Sequence, residues 1–160
     1  MPPRVRIFPR GRAPQPTPTA PAAPRTTGGT LRYIFDMVAI RDRITRTFVI
    51  DGGGGVISTG QKGHLDFSYN CALKRVRLEA DQSGSMVIDI WKDTWANAPP
   101  TVADTICASA KPTLSAAQFY EDTTLTGWNR HIAKGDIVAF NVDSCSTITR
   151  VTVSLEVVRT

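Results

Sequence analysis

The chain has 160 residues and a formal net charge of +5, but that charge is not spread along it. The first 27 residues carry Arg4, Arg6, Arg10, Arg12 and Arg25, no acid and eight of the eleven prolines, whereas the remainder holds 14 basic and 14 acidic residues. This excludes a uniformly basic protein and describes a neutral body, the size of one domain, wearing a cationic, proline-stiffened arm.

The arm is assigned to residues 1–29. It holds too little apolar surface to offset the entropy of ordering, and each proline fixes φ near the polyproline value. At about 3.1 Å per residue it spans on the order of 80 Å, the reach of a tether. Arg4, Arg6, Phe8, Arg10, Arg12 and Arg25 are its candidate partner-binding residues. One aromatic, no lysine and arginines spaced by prolines rank a nucleic-acid arm below an arm that binds a protein surface. No apolar run is long enough for a transmembrane helix, and the arginine-studded start lacks the apolar core of a signal peptide, so a soluble, unsecreted chain with no membrane partner is expected.

Residues 30–160 are expected to form one domain in which strand signals dominate. Short runs rich in Val, Ile, Phe and Thr occur at Tyr33–Ile40, Ile44–Ile50, Val56–Thr59, Leu65–Tyr69, Leu73–Ala80, Met86–Lys92 and Ile137–Val142. Tyr33–Ile40 also admits a helix. Gly52 to Gly55 break the chain after Ile50, Asp81-Gln82-Ser83-Gly84 break it after Ala80, and Lys134-Gly135-Asp136 precede Ile137. Trp95 to Gln118, with prolines at 99, 100 and 112, reads as a long loop or short helical turn. From Ile148 to Arg159, Val151, Val153, Leu155 and Val157 alternate with Thr152, Ser154 and Glu156, the pattern of a half-buried strand. About eight strands with frequent turns predict an all-β fold, an antiparallel sandwich or barrel; periodicity does not separate the two, and a jelly-roll-like β-sandwich is favoured.

Motifs that carry chemistry are sparse. Gly52 to Gly55 lack a following Lys-Ser/Thr and open onto Val56-Ile57, so a flexible hairpin connection explains them better than a phosphate cradle. His64 and His131 lie far apart with no ligand spacing, and Cys71, Cys107 and Cys145 are odd in number and widely spaced, which predicts reduced, mostly buried thiols and no metal or cofactor. No serine sits in a G-x-S-x-G elbow. Asp89 and Asp93 share a strand face with Trp91, an arrangement open to a paired-acid glycosidase but more common on solvated structural faces. Trp91, Trp95 and Trp128, with Asn97, are the candidate glycan or interface residues, because flat amphipathic rings suit sugar faces and protein interfaces alike; packing in the core or between subunits is the commoner role of such tryptophans.

The stretches FVIDGGGGVISTGQKGHLDF, ADQSGSMVIDIWKDTWANAPPTVADTICASAKPTLS and LTGWNRHIAKGDIVAFNVDSCSTITRVTVSLEVVR, between Phe48 and Arg159, resemble a domain of tailed-bacteriophage structural proteins. The resemblance implies a β-sandwich module in a virion component or fibre, assembled in the host cytoplasm, and a place on the particle rather than a reaction. It leaves out the arm and Leu31–Thr47, and it transfers no binding residue. With the arm, it leads to the expectation of a non-enzymatic capsid decoration or cement protein. The arm would anchor to the major capsid protein, and a homotrimer would raise avidity by making later binding events intramolecular. The alternative is a tail, neck or head fibre whose arm plugs into a connector or tail protein while the sandwich presents Trp95, Asn97 and Trp128 to host glycans. A nucleic-acid-binding arm is the residual alternative.

Overall fold

The computed structural model describes residues 42–160. The arm and the Tyr33–Ile40 reading lie outside the described residues. Seven strands follow in order: β1 (Arg43–Asp51), β2 (Gly60–Asp66), β3 (Cys71–Thr94), β4 (Thr113–Asp122), β5 (His131–Ile132), β6 (Asp136–Ser146) and β7 (Arg150–Arg159). Every ladder among them is antiparallel.

The organising element is β3, a strand of 24 residues. Its first half pairs with β7, from Cys71↔Arg159 to Ala80↔Val151, and its second half pairs with β6, from Ser85↔Ser146 to Thr94↔Asp136. Consequently β6 and β7 lie end to end along one edge of β3. Strand β1 extends the sheet beyond β7, β2 extends it beyond β6, and β4 and β5 pair with the other edge of β3.

This sheet curls until its two halves face each other. Burial follows the period of two expected of a strand with one dry face: Val151, Val153, Leu155 and Val157 on β7, and Val76, Leu78, Ala80, Met86, Ile88 and Ile90 on β3, are all in the core. The ring of Phe48 on β1 stacks on Phe140 of β6, so the far ends of the curl meet. The result is the all-β, antiparallel, jelly-roll-like sandwich expected from the strand pattern. The opposite side of the first half is wet. There Arg43, Glu156, Arg75, Glu121 and Arg77 form a charge ladder across β1, β7, β3 and β4 with N···O distances between 2.6 and 3.3 Å.

Several local expectations are corrected. Asp81 to Gly84 do not reverse the chain; β3 runs through them with its register shifted. Their turn chemistry serves the link between β6 and β7. The Asp81 carboxylate accepts hydrogen bonds from the backbone N–H groups of Thr149 and Arg150 at 3.2 and 3.1 Å, and a Cβ on Gly84 would meet Thr147 and Ser146 within 2.6 Å. Val56–Thr59 is a loop in which Ile57 plugs the core and donates its N–H to Ile148 O at 3.0 Å. Gly52 to Gly55 do not close a hairpin, because β1 and β2 belong to opposite halves of the sheet. Trp95 to Gln118, expected as a long loop or short helical turn, does contain two 3-10 turns, Trp95–Asn97 and Val102–Asp104, but its last part, from Thr113, belongs to the edge strand β4.

Candidate functional site

The candidate site lies on the outer face of the second half-sheet. Asp89, Trp91 and Asp93 of β3 are paired with Asn141, Ala139 and Ile137 of β6, which in turn pair with Gln61, His64 and Asp66 of β2. Residues opposite one another in a ladder project on the same side, so these nine side chains form one face. Ala139 and Ile137 are buried although they stand outside the main core cluster.

What buries them is the chain that leaves β3. Prolines 99 and 100 cannot serve as ladder donors, so after Thr94 the backbone forms the Trp95–Asn97 turn and crosses the face instead of pairing. It reaches β2 where Gln61 donates its Nε2 to Pro100 O at 3.2 Å. A capping box between Thr101 and Asp104 starts the second turn. The chain then returns to the edge of β3 through a Trp91↔Thr105 bridge and the Ile106 N–H donated to Ile90 O at 2.9 Å.

Between this crossing segment and β2 is a cleft of about 310 Å³ lined by His64, Trp95, Ala98, Pro99 and Ile137. Trp95 is 76% exposed at its mouth. The turn carrying it is pinned: Asp93 Oδ1 accepts from the Thr94 N–H at 2.7 Å and from Asn97 Nδ2 at 3.2 Å, and Ala98 donates its N–H to Trp95 O at 3.3 Å. Gln61 Nε2 lies 3.3 Å from His64 Nε2 and holds the imidazole beside the cleft. Trp91 is half-buried, and its Nε1 has no hydrogen-bond partner among the described residues.

Asp89 is fully buried, so it and Asp93 do not present a pair of carboxylates to solvent. It accepts a hydrogen bond from Thr105 Oγ1 at 2.6 Å, and its Oδ2 lies 2.9 Å from Lys111 Nζ, an ion pair outside hydrogen-bond geometry. Lys111 also pairs with Asp143 at 2.7 Å. Asp143, and secondarily Asp89, hold the Lys111 ammonium above the usual lysine range. This group of charges ties the returning segment to the sheet. A second, larger cleft of about 450 Å³ lies between β3 and β4 at the exposed Phe119, but its charged rim residues Arg77 and Glu121 are already paired with each other at 2.7 Å.

Trp91 thus lies on this outer face, while Trp95 and Asn97 share the pinned turn at its end; of the three, Trp95 lines the cleft. Trp128 does not join them: it is 7% exposed in the core and donates its Nε1 to Ala110 O at 2.9 Å. Arg4, Arg6, Phe8, Arg10, Arg12 and Arg25 lie outside the described residues. Gln61, His64 and Ile137 are not legible as a group in the sequence because only the β2–β6 register brings them together, and Pro99 joins them only through the crossing segment. Among the described residues no three His, Cys, Asp or Glu side chains form a group suited to a metal ion, and no helix is long and apolar enough to cross a membrane. No protein-family model matches the chain, and no curated protein is significantly similar to it.

Proposed function

We propose that this chain is a non-enzymatic structural protein of a tailed-bacteriophage particle, a capsid decoration or cement protein whose residues 1–29 anchor a β-sandwich body to the major capsid protein. The observation that carries the reading is the division of the chain: five arginines and eight prolines without an acid in front of a charge-balanced body. Such a segment binds by spreading charge-assisted contacts to carboxylates over its length, and linking several copies as a trimer multiplies their avidity. The resemblance of the stretches between Phe48 and Arg159 to a domain of tailed-bacteriophage structural proteins supports a place on the particle.

A second reading, a tail, neck or head fibre that binds host glycans, is favoured by the exposed Trp95 on its pinned turn. Mixing particles that lack this protein with the full chain, and with the same chain bearing Arg4, Arg6, Arg10 and Arg12 all changed to Ala, then imaging both, tests the pair of readings. Density repeating over the capsid lattice and lost with the fourfold substitution supports the cement protein. Density confined to the tail or neck supports the fibre. Undiminished lattice occupancy by the substituted chain overturns anchoring through arm charge.

A further inference from the structure

The structure assigns the cleft between Trp95 and His64 to a single uncharged pyranose unit of a polysaccharide, with the Trp95 indole as its stacking platform. This deepens the glycan-binding reading above and names the site and the class of sugar.

A pyranose ring has a flat apolar face of C–H groups and a rim of hydroxyls. Its site therefore needs an exposed aromatic plane with hydrogen-bonding groups at the edge. Trp95 supplies the plane, because a tryptophan 76% exposed beside a cleft leaves its ring free to be covered. The rim is supplied by groups on the same face. Asp93 uses Oδ1 to pin the turn, and its Oδ2 has no partner among the described residues and can accept from a hydroxyl; the exposed Asp66 is the cross-strand partner of the cleft residue Ile137. The His64 imidazole, steadied by Gln61, adds a nitrogen at the opposite wall.

The size of the cleft limits the ligand. About 310 Å³ is at the small end of ligand sites, room for a sugar unit and too little for a folded partner. Electrostatics limits its charge. None of the cleft-lining residues is Lys or Arg, and the two ladder partners of the cleft residue Ile137 are the carboxylates Asp93 and Asp66, so uronic and sialic acids are repelled while neutral hexoses and N-acetylhexosamines are accepted. The pinned turn also reduces the ordering cost of binding, which matters for a ligand this small.

The test titrates the full-length chain, labelled with nitrogen-15, with the methyl glycosides of glucose, mannose, galactose and N-acetylglucosamine, and with methyl glucuronide. The three indole resonances are identified from Trp→Phe variants. The expected result is a saturable millimolar shift of the Trp95 indole by at least one neutral glycoside, with the Trp128 indole unmoved and no saturable shift by the glucuronide. Trp95→Ala should weaken binding at least tenfold, and Asp93→Asn several-fold, each with a cooperative melting transition retained. A Trp95 indole unmoved by all the neutral glycosides, binding that survives Trp95→Ala, or a preference for the glucuronide overturns the assignment. Particle imaging distinguishes the failures: a chain located at the tail that binds no sugar defeats this inference alone, and a chain on the capsid lattice that still binds through Trp95 defeats the fibre reading alone.

Discussion

The ring of Phe48 lies 4.7 Å from that of Phe140 and within 9° of parallel, although the two strands that carry them sit in opposite halves of the sheet. This contact closes the sandwich. It fits only because Gly63, the ladder partner of Phe140, has no side chain: a Cβ there would come within 2.7 Å of Phe48 Cζ. The face of β2 is thus left bare so that an aromatic from β1 can lie over β6.

Gly63→Ala is therefore expected to destabilise the body by about 1–3 kcal/mol through overpacking, and Phe140→Ala, from a fully buried position, by about 3–5 kcal/mol. Urea denaturation measures both. A Gly63→Ala protein as stable as the parent would show that the Phe48 ring yields freely and does not set the spacing of the two halves.

The tryptophans should separate in the same assay. Trp128→Ala removes a buried ring and orphans the Ala110 carbonyl, for a loss of about 3–5 kcal/mol, whereas Trp95→Ala at the surface should change stability by no more than about 0.5 kcal/mol. Acrylamide should quench Trp95 efficiently and Trp128 poorly. Equal quenching of the two, resolved with single Trp→Phe variants, would contradict the placement of Trp128 in the core.

Local pattern made part of this legible. The alternation from Val151 to Val157 and the apolar run from Met86 to Ile90 are visible because burial on one face of a strand leaves a period of two. Residues 81 to 84 misled because Asp, Ser and Gly serve equally to reverse a chain and to let a neighbouring connection pass close by, and here they accommodate Thr147–Thr149. Strand β4 hid because its ladder with β3 is interrupted around Ala117 and its backbone takes a positive φ at Ala116, so the sequence TLSAAQFYED shows no clean alternation. Trp91, Trp95 and Asn97 were readable together since one strand and the turn after it carry them. His64 was not, because its place depends on a register with β6 that lies 75 positions further along.

Burial decides how the cysteines behave. It pushes the Cys71 thiol up to about 11 and the Cys107 thiol to about 12, and raises Cys145 as well. All three should be protonated and poor nucleophiles at neutral pH. In the native protein a thiol reagent should label the half-buried Cys145 first and Cys71 and Cys107 only slowly, while all three react at once in denaturant. Because the folded values lie above the unfolded ones, the stability contributed is complete below the ordinary thiol range and is lost as pH rises toward the folded values. Rapid native labelling of Cys107, followed by mass spectrometry of the peptides, would contradict its burial.

Lys111 is the other group whose removal should be costly, because of what it leaves behind. Lys111→Met would strand the fully buried Asp89 with Thr105 as its one hydrogen-bond donor among the described residues, and removing one partner of a buried pair costs about 3–5 kcal/mol. Asp143→Asn, at the partly exposed end of the same chain of charges, should cost no more than about 1 kcal/mol. The double change Asp89→Leu with Lys111→Met should recover much of the loss, since no uncompensated charge is then buried. The sign of the pH dependence follows from the raised lysine value: the contribution is complete below the ordinary lysine range and fades as pH climbs through the folded value, so the parent should lose stability at strongly alkaline pH more steeply than the double variant. Chemical denaturation at neutral and alkaline pH measures both effects. If Lys111→Met and Asp143→Asn prove equally mild, the buried carboxylate is satisfied without the ammonium, and Lys111 does not anchor the returning segment over the cleft face.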